Sequence, residues 1–473
     1  MIKWRTWANE NPFVARMRWF YSSVWYPVWM ACLTLFSYTL QLEYVAWLLV
    51  LLTVIPAFLF CEDMMPILIA SLFAPFFIAY QNSPGTVHHG GDLFAPHNLI
   101  WIALLAAAVV VLFVAHLVLW GGAEKPFTQK TELTWFLIPL AITLLTNGLG
   151  HEAYTVKNLL YACLTCLTWI GFYLVYYFRL PKGQDAVHTF CRACFWVAVA
   201  LIGEIIWVYT TNGVLADGGA DSKKIYFGWG IYNNYGGIMA LLIPVIFYLA
   251  ATRRRGWIYY LGGLATWFAV ALSNSRSSLL VGSLILAVCV VSVAFVGSHK
   301  KLYRIFLSVL AVGMIAAIFL FGEEISELLP RYAQVGFNDN GRIKIWKDTI
   351  ALFKESPIFG AGFYEIPFDS YAKILPGIAH NTPVELLGAG GILLFLSYAA
   401  YRAKTVWLIL RRPTVTRWFL GLCLATVIGT SLLDNHLFNI YPMFFYCGAL
   451  VLIEHDYTAT ALSPAVTPEE PKA

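Results

Sequence analysis

The chain has 473 residues, of which 60% are hydrophobic and only 12% charged, and its net charge is +5. A soluble domain must cover its surface with polar groups, so this composition excludes an ordinary soluble globular protein. The excess Lys and Arg lie in short clusters between apolar runs, as topology determinants would, and no nucleic-acid partner is expected.

The first 24 residues hold Lys3, Arg5, Arg16 and Arg18 among aromatics. They show no compact apolar core followed by a small-residue cleavage site, so no cleavable leader is expected. Fourteen apolar runs follow, each read as a helix crossing a hydrocarbon core about 30 Å thick. They cover 25–40, 44–60, 64–80, 98–119, 133–149, 159–178 and 188–210, then 236–251, 257–272, 278–296, 303–321, 382–401, 418–433 and 440–452. Helices are required because an unpaired backbone amide in lipid costs several kcal/mol. Some runs are short or broken by Pro or Gly, so the count falls to twelve if those are re-entrant or interfacial.

The expected fold is therefore all-α, a polytopic transmembrane bundle of 12–14 spans, and 1–457 is read as one unit. Within it, 322–381 is read as one long extracytoplasmic loop carrying an amphipathic helix; 458–473, with Pro464, Pro468 and Pro471, is read as a disordered cytoplasmic tail. Alternate loops carry the basic clusters: the N-terminus, Arg179 with Lys182, Arg253 to Arg255, Lys300, Lys301 and Arg304, and the stretch Arg402 to Arg417. That side is read as cytoplasmic. In the long outer loop, Ile343, Trp346, Ile350 and Phe353 recur at helical spacing, with Asn338 or Asn340 as a cap and Pro357 and Gly360 as terminators.

Metal sites find little support. Cys163-x-x-Cys166 and Cys191-x-x-Cys194 stand about one turn into spans entered from opposite faces, so most of a bilayer separates them and packing is the better reading. His88, His89, Asp92 and His97 match no common zinc spacing, and His151-Glu152 lacks the second histidine of a zinc-protease helix. No metal or cofactor is expected.

Three groups fall on the outer face by this topology: Arg276 in Ser273-Asn274-Ser275-Arg276-Ser277, Arg342 at the head of the loop helix, and His380 before Asn381. A guanidinium fork suits bidentate contact with phosphate oxygens, and an imidazole takes up a proton near neutral pH. Singly, Arg276 also fits a residue snorkelling to headgroups, Arg342 a surface helix residue, and His380 an interfacial histidine bonded to a carbonyl. Glu204 lies inside a span, where charge is costly; it either faces a substrate groove or bonds to a neighbouring helix.

Four patches together resemble the bacterial O-antigen ligase and polymerase superfamily. They are Tyr232-Asn233-Asn234-Tyr235-Gly236-Gly237; Ser275-Arg276-Ser277-Ser278; Gly341-Arg342-Ile343-Lys344-Ile345-Trp346 leading to Pro357-Ile358-Phe359-Gly360-Ala361-Gly362; and His380-Asn381 before Leu387 and Gly391. The resemblance spans roughly 213–452 and departs at one point, where Gly388 and Ala389 stand in place of an acidic residue and Glu385 comes earlier. It implies a metal-independent, inverting glycosyltransferase of the bacterial cytoplasmic membrane, with its active site facing outside or into the periplasm. Its donor would be a glycan linked to undecaprenyl diphosphate and its acceptor a lipid or glycan hydroxyl, reached among membrane lipids. Arg276 and Arg342 would hold the diphosphate and His380 would act as base, with Asn381, Asn233 and Glu204 as possible supporting residues. A repeat-unit polymerase of the same superfamily fits equally, while a transporter or flippase of lipid-linked glycan would place its key charges near the bilayer midplane.

Overall fold

A computed structural model describes residues 2–77, 96–121, 130–152, 154–212, 214, 225–227, 229–297, 299–320, 342–363, 366–368, 371–374, 379–433 and 440–462. Its helices begin with α1 (Ile2–Glu10), α2 (Pro12–Ser22), α3 (Trp25–Leu40), α4 (Glu43–Phe60), α5 (Met65–Phe73), α6 (Pro96–Trp120), α7 (Thr134–Leu145), α8 (Val156–Tyr161) and α9 (Thr168–Arg179). They continue with α10 (Gln184–Thr211), α11 (Tyr232–Thr252), α12 (Gly256–Leu272), α13 (Arg276–Phe295), α14 (Lys300–Leu320), α15 (Arg342–Glu355), α16 (Thr382–Leu410), α17 (Val415–Ser431) and α18 (Ile440–Leu462). Two antiparallel hairpins, β1 (Tyr226–Phe227) with β2 (Gly230–Ile231) and β3 (Ile366–Phe368) with β4 (Tyr371–Ile374), are the strands among the described residues.

The molecule is a helical membrane bundle. Each of the fourteen apolar runs overlaps one of these helices, with 159–178 crossing a π-helical turn at Ala162–Leu167. Among the described residues, four helices, α10, α11, α13 and α16, are each long and apolar enough to cross a membrane alone. Several others are shorter apolar helices, among them 134–145 and 256–272. The loop helix was expected from Ile343 and begins at Arg342, whereas the caps proposed at Asn338 and Asn340 lie outside the described residues, as do His88, His89 and Asp92. The tail is corrected at one point: α18 continues to Leu462, because Thr458 and Thr460 bond back to carbonyls of the preceding turn.

Helix α11 is the axis of the bundle. Tyr235 to Ala251 are all buried, because a helix apolar on every side must be surrounded, and α10, α12, α13 and α17 pack around it. At the periphery the pattern inverts: Leu280 and Leu284 of α13 and Val309 and Phe319 of α14 are exposed, as lipid-facing positions are. Helices α1 and α2 were not anticipated. Their arginines close the ends of other helices, Arg5 Nε donating to the Leu119 carbonyl at 2.7 Å and Arg18 Nε to that of Phe60 at 2.7 Å, where a cation also meets the negative end of the helix dipole.

Candidate functional site

One end of the bundle is built around the turn from α12 to α13. Asn274 adopts a left-handed φ of 58°, and the serines on either side fold inward. Ser273 Oγ donates to the Val270 carbonyl at 2.6 Å, and Ser275 Oγ donates to Ser278 Oγ at 2.9 Å. All three serines are buried. A Cβ on Gly236 would lie 2.7 Å from Ser273 Oγ and 2.8 Å from Ser278 Cβ, so only glycine lets α11 approach this knot. Arg276 is the first residue of α13 and is exposed beside it. Asn233 stands three residues before Gly236, on the α11 face turned toward the serines.

His380 is fixed from both sides. Immediately before it, the Ala379 carbonyl accepts from Trp346 Nε1 of α15 at 2.7 Å. Immediately after it, Asn381 Oδ1 caps α16 by accepting from the Val384 N–H at 3.1 Å, while Asn381 Nδ2 donates to the Leu432 carbonyl at the end of α17 at 3.0 Å. Between these anchors His380 takes a left-handed φ of 49°, a conformation that a residue with a Cβ holds only when its surroundings impose it. Asn381 thus ties α16 to α17.

These contacts link the elements that carry Arg342 and His380. Arg342 and Trp346 are one turn apart on the same face of α15, and Trp346 bonds to the residue preceding His380. Asn381 reaches Leu432; three residues earlier Gly429 packs on Val281 of α13, where a Cβ would lie 3.1 Å from Val281 Cγ1. Val281 is five residues along from Arg276, so α13 near its head and α16 at its head both pack on the last turn of α17. Arg276, Arg342, His380 and Asn381 thus stand on elements far apart in the chain that are linked through Trp346 and the last turn of α17, and Asn233 stands on the helix packed against the serines.

A break in α16 lies beneath this region. Gly391 has φ 67° and ψ −168°, which severs the helix about 13 Å from its start. Severing leaves backbone groups without helical partners, and the segment after α15 takes them up. Ala361 N–H donates to the Gly388 carbonyl at 2.9 Å and Gly362 N–H to that of Ala389 at 2.8 Å, while Ile392 N–H donates to the Pro357 carbonyl at 2.9 Å. On its other side the segment is held by Asn158, buried at the start of α8, whose Oδ1 accepts from Phe363 N–H at 2.7 Å and whose Nδ2 donates to the Asn147 carbonyl at 3.1 Å. Gly391→Ala is expected to lower the thermal midpoint of the purified protein by several degrees. The added Cβ would lie 2.3 Å from the Ile358 carbonyl oxygen, and the backbone region alone costs about 1–3 kcal/mol for a residue other than glycine.

The departure at Gly388 has a steric reason. A Cβ there would lie 2.3 Å from Thr349 Cγ2, so α15 sits against α16 too closely for an acidic side chain at 388. Glu385, one turn nearer the mouth, is buried. Glu204 is buried on α10 and accepts from Trp229 Nε1 at 2.9 Å, which ties the β1–β2 hairpin to the bundle. Trp229, Phe227 and Tyr235 form an aromatic group about it, with Phe227 and Tyr235 stacked at 4.6 Å. The structure thus gives Glu204 a bond to the hairpin rather than to a neighbouring helix. Sequence reasoning noted Trp346 only for helical spacing and the serines only as part of the patch around Arg276, and Asn158 carries no motif at all.

Residues 239–399 match the family model described as O-Antigen ligase. No curated protein matches the chain. The matched stretch contains Arg276, Arg342, His380 and Asn381, together with the severed helix and the segment that mends it, and leaves Asn233 and Glu204 outside. Residues 239–399, about a third of the chain, are thus similar to the O-antigen ligase family, and this match supports the resemblance to the O-antigen ligase superfamily.

Proposed function

We propose that the protein is a membrane glycosyltransferase that moves a glycan from undecaprenyl diphosphate to an acceptor hydroxyl on the outer side of a bacterial cytoplasmic membrane. The observation that carries this reading is the convergence on His380, whose neighbours on both sides are bonded to α15 and α17 while its own backbone is left-handed. The concentration of Arg253 to Arg255, Lys300 and Lys301 at the opposite end of α11 to α14 supports an outward mouth.

In this reading Arg276 and Arg342 hold the donor's diphosphate. As the bond between the anomeric carbon and the diphosphate oxygen breaks, negative charge grows on the departing group, and fixed guanidinium forks stabilise it without reorganising. His380 takes the proton of the acceptor hydroxyl as that oxygen attacks the opposite face of the anomeric carbon, which inverts its configuration. One C–O bond breaks, one forms, undecaprenyl diphosphate leaves, and the proton passes through the imidazole to water. Glu204 anchors the β1–β2 hairpin beside the start of α11, and Asn233 stands one turn before Gly236.

Ligase and polymerase differ in the acceptor and share this chemistry. The purified protein, supplied with a glycan on undecaprenyl diphosphate and either a lipid core or a second carrier-linked glycan, should release the carrier and give a product of summed glycan mass with one acceptor. Carrier release with neither acceptor, together with movement of the intact donor across vesicles, would overturn the reading in favour of a transporter.

A further inference from the structure

We propose that the turn between α13 and α14 binds the phosphate of an anionic glycerophospholipid, at the end of the bundle opposite His380. A cavity of about 600 Å³ opens there, lined by Gly297, His299, Lys300, Lys301, Leu302 and Arg304. Helix α13 runs from Arg276 at one end to Phe295 beside this cavity, a separation on the order of 30 Å, so the site is independent of the diphosphate reading above.

The floor of the cavity is fixed. Gly297 has φ 100°, and a Cβ on it would lie 2.3 Å from the Ala251 carbonyl oxygen, so this turn is seated against the end of α11. His299 Nε2 pairs with the Arg253 carbonyl at 3.1 Å, and Tyr303 Oη donates to the Ala250 carbonyl at 2.7 Å. On that floor Lys300, Lys301 and Arg304 are exposed, and among the described residues none of them forms an ion pair with a carboxylate. Arg304 Nε donates to the Ala294 carbonyl at 3.1 Å and its guanidinium lies 5.6 Å from the Phe295 ring centre, leaving its other nitrogens for an anion.

What distinguishes a lipid from a soluble anion is the surface that continues from the cations. Lys301, Ile305, Val309 and Val312 follow one another at helical spacing down a single face of α14, and the three apolar residues are 59%, 65% and 66% exposed. A cation above an uncovered apolar stripe matches a phosphate joined to an acyl chain, and basic pockets at helix ends take anionic headgroups in this way.

The full-length protein, exchanged into detergent with equal phosphatidylglycerol and phosphatidylcholine, should retain one phosphatidylglycerol in native mass spectrometry. The exposed triple substitution K300Q/K301Q/R304Q should weaken that retention at least roughly tenfold with an unchanged melting midpoint, since each basic side chain contributes on the order of a fivefold preference. Ile305→Asp, which leaves the cations in place, should weaken it as well. Equal retention of the two lipids, retention unaffected by the triple substitution, or displacement by millimolar inorganic phosphate would each overturn the assignment.

Discussion

His380→Ala should lower glycan transfer by about 10²–10⁴-fold, the usual cost of removing a general base. The backbone makes this experiment sharper than it would be at an ordinary position. Because His380 is held at φ 49°, alanine brings strain as well as a missing imidazole. His380→Gly and His380→Asn supply residues that tolerate this conformation, so the three variants separate the two causes. If the imidazole accepts the proton, all three lose activity together while remaining folded and inserted. Activity retained in the glycine or asparagine variant would reduce His380 to a turn residue and sink its role as base.

Arg342→Lys should lower kcat and kcat/KM in parallel, by roughly 10–10²-fold. Charge is conserved in this exchange and geometry is not: a planar fork gives two parallel hydrogen bonds to phosphate oxygens, and an ammonium is a point charge on a flexible stem. A parallel loss marks an interaction made chiefly in the transition state, where charge develops on the leaving diphosphate. A rise in KM at constant kcat would instead assign Arg342 to uniform donor binding. Unchanged kinetics, measured with purified protein and carrier-linked donor, would remove Arg342 from the site.

The helical architecture was legible in the sequence because lipid leaves few alternatives. Apolar runs of span length must be helices, and 25–40, 236–251 and 440–452 lie within α3, α11 and α18. The first two helices were hidden because Trp4, Trp7, Arg16 and Arg18 mix aromatic and charged side chains without a long apolar run. Of the candidate site, Arg276, Arg342 and His380 were picked out as chemistry, but what fixes them was not. The backbone of Ala379 receives a proton donor from Trp346 and that of Leu432 from Asn381, and a carbonyl has no signature in a sequence. Asn158 is a sharper case. Its two hydrogen bonds join the turn after α7 to the segment before β3, and no local pattern links residues 205 positions apart.

The interruption at Gly391 makes two distant stretches of the chain inseparable. Since the amides of Ala361 and Gly362 occupy oxygens that an intact helix would have paired for itself, withdrawing 357–362 would leave bare peptide dipoles inside the protein's apolar interior. The folded form of α16 therefore depends on the residues that follow α15. An exchange of this outer stretch with that of another protein would succeed only when the glycines of the partner helix travel with it.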